Sequence, residues 1–200
     1  MNDKIPPQRD GAQSNAYTNI VLPDENSAKE YFRRVKNRFL NVSSWDHFAG
    51  REKAKFELRD QYGNPNPNVP KVGDYISVQV PLLSNTEKDG YDWVRIEEFE
   101  DTQFGSSQRV YMRLRPSPSP LDSNTEVAHF LDDEATNNLE IRREGTRVSA
   151  EVHARNETPN KEETNIVEKV RDYVVGLGGM LLGSKIQWQS LTDGLINNEE

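Results

Sequence analysis

The C-terminal stretch from Asn160 to Ile196 constrains the fold of this chain more than any other part. Its apolar residues recur at spacings of three and four, which places them along one side of an α-helix. The stripe consists of Ile166, Val167, Val170, Tyr173, Val174, Leu177, Leu181 and Leu182. Asn160 can cap the start of this helix, with Glu163 as its capping-box partner. Because the stripe is too wide and too apolar to face water, the preceding chain must supply a large apolar surface to cover it.

Between Gly50 and Arg155 the apolar period changes to two, which predicts β-strands. Six alternating runs follow one another, mostly through turns, after a first strand from Tyr17 to Leu22. About seven strands in this arrangement predict an antiparallel meander. The clean alternation predicts one buried face and one solvated face. The residues expected on the buried face include Phe56, Leu58, Ile76, Val78, Val94, Ile96, Met112, Leu114, Leu139, Ile141, Val148 and Val152.

Two short helices are expected after the first strand. Ser27 with Glu30 three residues later forms a capping box, and the apolar pattern continues to about Leu40. A further helical turn carries Trp45. The residues 1–16 are almost entirely polar, which predicts a flexible N-terminal tail before a single domain at 17–200.

The charge and composition exclude several classes of function. The net charge of −8 disfavours nucleic acid and anionic membrane surfaces as partners. The chain contains no cysteine, so disulfide and thiolate chemistry are absent. No apolar run reaches the length of about 18 residues that a membrane span needs, and the polar N-terminus is not a signal peptide. We therefore expect a cytoplasmic protein.

Three near-motifs have simpler structural explanations. Residues 178–185 resemble a phosphate loop, but Ser184 stands in place of the lysine and the stretch follows a helix pattern. The glycines there suit close packing against the sheet or against a second copy of the chain in a homodimer, and a kink near Gly183 is an equal alternative. Residues 85–96 begin like a calcium loop, but Ile96 replaces the required glutamate. The three histidines lack metal-ligand spacing, so we expect no metal and no cofactor.

Arginine residues lie on neighbouring predicted strands at Arg95, Arg113 and Arg115. With Glu97 and Glu98 nearby, cross-strand ion pairs are the expected arrangement. The alternative is a cluster that recognises an anion.

The order of these elements resembles the START-like helix-grip superfamily (SRPBCC), which includes birch-pollen-allergen-like proteins, lipid-transfer domains and polyketide cyclases. The resemblance rests on the first strand, the Ser27 helix, the Trp45 turn, the turn at residues 72–74 and the terminal helix. It implies an α+β fold in which a curved antiparallel sheet of about seven strands wraps around the long C-terminal helix. It also implies a cavity between sheet and helix that binds apolar or amphipathic molecules.

We therefore expect a binding protein for a small apolar or lipid-like ligand. The alternatives are a polyketide cyclase-like enzyme and a protein-interaction module whose cavity is filled by its own side chains. No catalytic pair is evident in the sequence, so binding is favoured over catalysis. The candidate cavity residues are Trp45, Phe56, Ile76, Val78, Val94, Ile96, Met112, Leu114, Tyr173, Leu177, Met180 and Leu181.

Overall fold

The computed structural model describes residues 4–49, 54–79, 91–123, 126–129, 131–158 and 180–197. Within the last range, side chains are described from residue 188 onwards. The described chain forms a seven-stranded sheet in the order β1-β7-β6-β5-β4-β3-β2. Its strands are β1 (Ala12–Val21), β2 (Lys55–Arg59), β3 (Tyr75–Gln79), β4 (Asp92–Phe104), β5 (Ser107–Pro116), β6 (Thr136–Glu144) and β7 (Arg147–Glu157).

Every neighbouring pair of strands in this sheet is antiparallel. The strands β2 to β7 follow one another as a meander, and β1 pairs with β7 at the end of the row. Strand number, direction and the order of the helices confirm the fold class predicted from the sequence. The face that carries the buried apolar side chains is called the inner face below, and the opposite face is called the outer face.

The first strand begins at Ala12, earlier than the predicted start at Tyr17. Its added residues alternate between a buried Ser14 and Ala16 and more exposed polar positions, and they pair with β7. Ala16 is buried in the core. The sequence pattern missed this part of the strand because its inward side chains are small rather than strongly apolar. Residues 12–16, predicted to belong to a tail, therefore lie in the sheet.

The first helix, α1 (Glu25–Leu40), starts earlier than the predicted cap at Ser27. Asp24 is the N-cap, and its carboxylate accepts hydrogen bonds from the backbone N–H groups of Asn26 and Ser27, both at 2.9 Å. The hydroxyl of Ser27 donates to the same carboxylate at 2.7 Å. These hydrogen bonds lower the pKa of Asp24. A carboxylate at this position satisfies two free N–H groups and complements the helix dipole, which is why it takes the cap.

The predicted helical turn at Trp45 is present. A 3₁₀ turn (Val42–Ser44) leads into α2 (Trp45–Ala49). The indole N–H of Trp45 donates to the carbonyl oxygen of Phe39 at 3.0 Å. Its ring contacts the rings of Phe39 and Phe56, with centroids 6.0 and 5.6 Å away. Trp45 therefore joins the end of α1 to the edge strand β2.

The last described helix, α3 (Met180–Asn197), contains the C-terminal part of the predicted long helix. The side chains of the predicted stripe lie outside the described residues. Trp188, Leu191, Leu195 and Ile196 are buried in the same core cluster as the inner face of the sheet. Its backbone remains helical through Gly183.

The carboxyl end of α3 is held by α1 and α2. The buried guanidinium of Arg38 donates to the carbonyl oxygen of Leu195 at 3.0 Å, and the hydroxyl of Tyr31 donates to that of Ile196. Both donors satisfy carbonyl groups that a helix end leaves free. A Cβ atom at Gly194 would lie 2.0 Å from the carbonyl oxygen of Phe48, so this approach between the helices requires glycine.

The outer face is not the uniformly solvated surface that the sequence pattern predicts. Tyr111 and Glu140 are buried there. The carboxylate of Glu140 forms ion pairs with Arg109 at 2.6 Å and Arg142 at 2.8 Å, and the N-terminal Lys4 pairs with Glu100 at 2.6 Å. The predicted pairing of strand arginines with glutamates is present, because Arg113 pairs with Glu98 and Arg115 with Glu97. Buried charges on this face are thus paired with opposite charges.

The connection between β5 and β6 covers another part of the outer face. The backbone N–H of Trp93 donates to the carbonyl oxygen of Ala128 at 2.8 Å. The N–H of Ser117 donates in turn to the carbonyl oxygen of Trp93 at 3.0 Å. Trp93 is completely buried and its ring contacts those of Tyr75 and Tyr91. These described segments extend the hydrogen bonding of the sheet around Trp93.

Candidate functional site

The central strands β3, β4 and β5 form an apolar surface on the inner face, which we call the floor. In the register of these strands, Ile76 lies opposite Val94 and Ile96 lies opposite Leu114, while Val78 and Met112 lie beside them on the same face. The floor consists of Ile76, Val78, Val94, Ile96, Met112 and Leu114. All six were predicted from the sequence as cavity residues, and the period-two pattern brings them together because it puts alternate side chains on one face.

The described helices approach the sheet at the two sides of this floor. On one side α1 approaches β6 and β7, and α3 approaches β1 and β7. On the other side α2 and the 3₁₀ turn approach β2. Trp45 and Phe56, two further predicted residues, lie on this second side in contact with each other. The floor therefore lies between two helical supports, at the place where the sequence predicts a ligand.

The candidate residues are buried to different extents. Ile76, Ile96 and Met112 are completely buried, whereas Val78 is half-buried. The polar inner-face residue Asn137 retains 8% of its accessible surface. Tyr173 and Leu177 lie outside the described residues, as do the side chains of Met180 and Leu181. The most accessible described part of the floor is thus at Val78, where β3 ends and β4 begins.

Asn137 is a polar side chain on the inner face beside the floor. It pairs with Leu114 on β5 and Ala154 on β7, so it shares their face of the sheet. Its carbonyl oxygen Oδ1 is buried and has no hydrogen-bond partner among the described residues. A buried acceptor without a partner costs free energy, which a ligand with a hydrogen-bond donor would recover. Asn137 was not among the predicted residues, because a polar residue at the start of a strand does not continue the apolar alternation.

The titratable groups at inner-face positions of the described strands lie at strand ends. Asp92 pairs in register with Val78. Asp101, at the far end of β4, forms an ion pair with Lys36 of α1. Arg143 donates to the side chain of Gln108 at 2.7 Å and to the carbonyl oxygen of Gly145 at 2.9 Å. The middle of the floor is apolar, so it suits burial of an apolar molecule better than proton transfer.

The histidines lie away from the floor. His153 is on the outer face, as its alternation predicted, and its ring bonds to Glu151 at 3.0 Å and to Asn15 at 2.9 Å. The bond to His153 lowers the pKa of the Glu151 carboxyl. His129 is buried in the β5–β6 connection. The described residues contain no group of three or more His, Asp or Glu side chains arranged to hold a metal ion.

In the described part of the chain, no helix combines the length and apolar character that crossing a bilayer requires. The proposed calcium-like loop at residues 85–90 lies outside the described residues. The phosphate-loop-like stretch lies partly outside them, and its described part, from Met180 to Lys185, is helical.

Comparison with known proteins gives structural likenesses at low sequence identity. A truncated norcoclaurine synthase from Thalictrum flavum matches with a TM-score of 0.34 and 9% identity, over 96% of this chain and 99% of that one. Ara h 8.0201 matches with a TM-score of 0.34 and 11% identity, over 94% of this chain and all (100%) of that one. The major latex-like protein 151 from Panax ginseng matches with a TM-score of 0.32 and 8% identity, over 81% of this chain and 95% of that one.

No family model and no curated protein sequence matches the chain. The three structures named above are START-like proteins. At TM-scores of this size, the fold is assigned from the chain's own features: a first strand, two short helices, a six-strand meander (β2 to β7) and a terminal helix against the inner face. The chain has a helix-grip fold. In this arrangement the floor lies on the face of the sheet against which the described helices pack.

Proposed function

We propose that this helix-grip protein binds one small, mostly apolar molecule on the floor. The observation that supports the proposal is the uniform apolar character of the floor between two helical supports. Burial of such a surface against a ligand contributes roughly 25 cal/mol for each Å² of apolar area removed from water. The proposed ligand-binding set remains the predicted one, with Trp45 and Phe56 at the side of the floor; Tyr173, Leu177, Met180 and Leu181 belong to it on the sequence pattern.

Asn137 adds a polar preference to this proposal. Its Oδ1 atom is a buried acceptor beside the floor that has no hydrogen-bond partner among the described residues. In ligand pockets a few polar groups fix the orientation of a molecule that binds mainly by apolar contact. The ligand that fits these residues is therefore an apolar molecule with one hydrogen-bond donor, such as a long-chain alcohol or a sterol-like compound.

Binding is proposed in preference to catalysis. A polyketide cyclase-like enzyme needs an acid or base within hydrogen-bond reach of the reacting atoms. At the described inner-face strand positions, the titratable groups Asp92, Asp101 and Arg143 lie at strand ends rather than together. This separation favours a carrier or a sensor of an apolar molecule over an enzyme.

A second candidate function is supported by the burial of the floor. Ile76, Ile96 and Met112 are completely inaccessible to water. Side chains packed in this way are also expected in a protein whose core is filled and which acts through its outer surface. The two candidates differ in one measurable property, because only the first takes up an apolar molecule in the interior.

The experiment is a fluorescence titration of the full-length protein with Nile red, an uncharged dye that brightens in apolar surroundings. We expect saturable binding of one dye per chain. Met112→Trp should weaken it at least about tenfold, because added volume in a packed site displaces the ligand. Val78→Trp provides a second obstruction at a half-buried position if the first variant fails to fold, and circular dichroism checks folding.

Phe104→Ser is the matched control, because Phe104 is the most exposed large apolar side chain of the described residues, at 90%. The variant should bind the dye as the parent protein does. Binding that disappears with Phe104→Ser, or that persists unchanged in both tryptophan variants, would place the dye on the surface. Absence of saturable binding would favour the filled core.

A further inference from the structure

A cavity of about 370 Å³ lies where β4 begins and β5 ends. The residues that line it are Val72, Arg95, Ile96, Glu97, Arg115, Pro116 and Ser117, of which Ile96 is shared with the floor. We propose that it binds a small organic anion, with a carboxylate or phosphate group between the two arginines and an apolar group against Val72 and Pro116. This site is independent of the ligand proposed for the inner face.

The arrangement of the two arginines gives the first reason. Arg95 and Arg115 are direct partners in the β4–β5 register, and Arg95 shares the outer face with its other partner, Tyr75. Like charges placed directly opposite each other destabilise a sheet. Arg115 is compensated by Glu97 at 2.5 Å. Arg95 is exposed and forms no ion pair with any residue that the structure describes, so a bound anion would offset the repulsion.

The site is also held in position before any ligand arrives. Besides its bond to Glu97, the guanidinium of Arg115 donates through Nη1 to the backbone carbonyl oxygen of Asp133. Glu97 lies at the bulge where the β4–β5 register shifts between Ile96 and Glu98. Bulges redirect side chains and occur frequently beside binding sites. Fixing a guanidinium beforehand reduces the entropy that binding an oxyanion would otherwise cost.

The opposite wall is fixed by backbone bonds to β4. The N–H of Gly73 donates to the carbonyl oxygen of Ile96 at 3.0 Å, and the N–H of Ile96 donates to that of Asp74 at 2.9 Å. These two hydrogen bonds hold Val72, which is 57% exposed, beside the arginines. The wall is therefore rigid where it meets solvent and presents an apolar side chain to the cavity.

The charge and size of the cavity define the ligand class. Two guanidinium groups and one carboxylate leave a net positive charge at this place in a chain whose total charge is −8. Arginine pairs with planar or tetrahedral oxyanions through two parallel hydrogen bonds. The volume lies at the lower end of the range of roughly 300–1,000 Å³ for small-molecule sites. A single-ring carboxylate or phosphate ester matches these three properties.

The test is an NMR titration of the full-length protein with benzoate, phenyl phosphate, inorganic phosphate and uncharged benzyl alcohol. We expect saturable shifts of the Gly73 and Ser117 amide signals with benzoate or phenyl phosphate, and weaker binding with rising salt. Inorganic phosphate should bind more weakly because it lacks the apolar group, and benzyl alcohol should not bind. The stronger of the two aromatic anions identifies the preferred oxyanion.

Variants separate this site from non-specific charge effects. Arg95→Gln and Arg115→Gln should each raise the dissociation constant at least tenfold. Arg33→Gln removes an exposed arginine of α1 and should leave the dissociation constant of the anion unchanged. Met112→Trp on the floor should also leave it unchanged. Arg95→Gln alone decides the case if Arg115→Gln disturbs the fold. Equal weakening by Arg33→Gln, no change with Arg95→Gln, or no saturable shifts would overturn the proposal.

Discussion

His129 is a single buried residue with a measurable effect on stability. Its Nδ1 atom accepts a hydrogen bond from the backbone N–H of Leu131 at 3.0 Å. Burial lowers the pKa of its imidazole from 6.5 to about 3. The ring is therefore neutral in the folded protein at the pH where the unfolded chain already binds a proton. The stability that depends on neutral His129 is complete above pH 6.5 and is lost as the pH falls towards 3.

We expect this group to reduce the free energy of unfolding by roughly 2 kcal/mol between about pH 7.5 and pH 5. His129→Asn keeps an acceptor for Leu131 but does not titrate, so its free energy of unfolding should fall less over this range. Chemical denaturation at both pH values measures the difference. His47→Asn, which alters an exposed histidine, should keep the parent's pH dependence. An equal loss in His129→Asn and the parent protein would show that His129 does not resist protonation.

Single residues show how far the sequence could predict the site. The six floor residues followed from alternation, because the hydrophobic effect puts one face of a strand in the core. Asn137 could not be predicted in this way, because a polar residue on a buried face interrupts the apolar alternation by which strands are recognised. Asp24 and Ser27 both satisfy the sequence signal for a helix cap. The choice of Asp24 depends on where the chain leaves β1, which only the three-dimensional structure gives.

At the scale of elements, the start of β1 has a consequence for truncated chains. A chain that begins at Ala12 loses the Lys4 ion pairs, which are partly exposed and typically contribute about 1 kcal/mol or less. A chain that begins at Tyr17 also loses the strand pairing of Ser14, Asn15 and Ala16 with β7. Because Ala16 is buried, the second truncation should be clearly less stable than the first.

Thermal unfolding of both truncated chains measures this difference. We expect the chain from Tyr17 to melt at least about 5 °C below the chain from Ala12, which corresponds to roughly 2 kcal/mol in a protein of this size. The same melting temperature for both would mean that the domain starts at Tyr17, as the sequence pattern predicts. The full-length protein is the reference for the small effect of residues 1–11.

Elements differ in how well the sequence predicts them. The strands β2, β3 and β5 lie where strict alternation predicts them. β4 extends to Phe104, well past the alternating residues Val94 and Ile96. Its second half follows the bulge at Glu97, where the face of each side chain changes, so the alternation is interrupted in the sequence. The hydrogen bonds between the β5–β6 connection and Trp93 join residues distant in sequence, so the local pattern did not predict them.

At the scale of the whole molecule, topology connects the two proposed sites to different faces of one sheet. The order β1-β7-β6-β5-β4-β3-β2 puts β3, β4 and β5 side by side. Their inward residues form the floor, while Arg95 and Arg115 of the same strands point to the other face. The sequence predicted the antiparallel meander of β2 to β7, because successive strands tend to pair, but it did not predict that β1 pairs with β7. The sequence did not predict which loops lie beside these strands. Those loops contribute Val72 and Ser117 to the second cavity.

The central claim is that an apolar molecule binds on the floor, and methyl NMR of the protein–Nile red complex tests it most directly. With methyl groups isotopically labelled, intermolecular nuclear Overhauser effects identify the side chains that touch the dye. Binding on the floor predicts contacts to the methyl groups of Val94, Met112 and Leu114. Contacts confined to exposed residues such as Val21, Val69 and Leu121 would contradict the claim and leave the filled core as the better description.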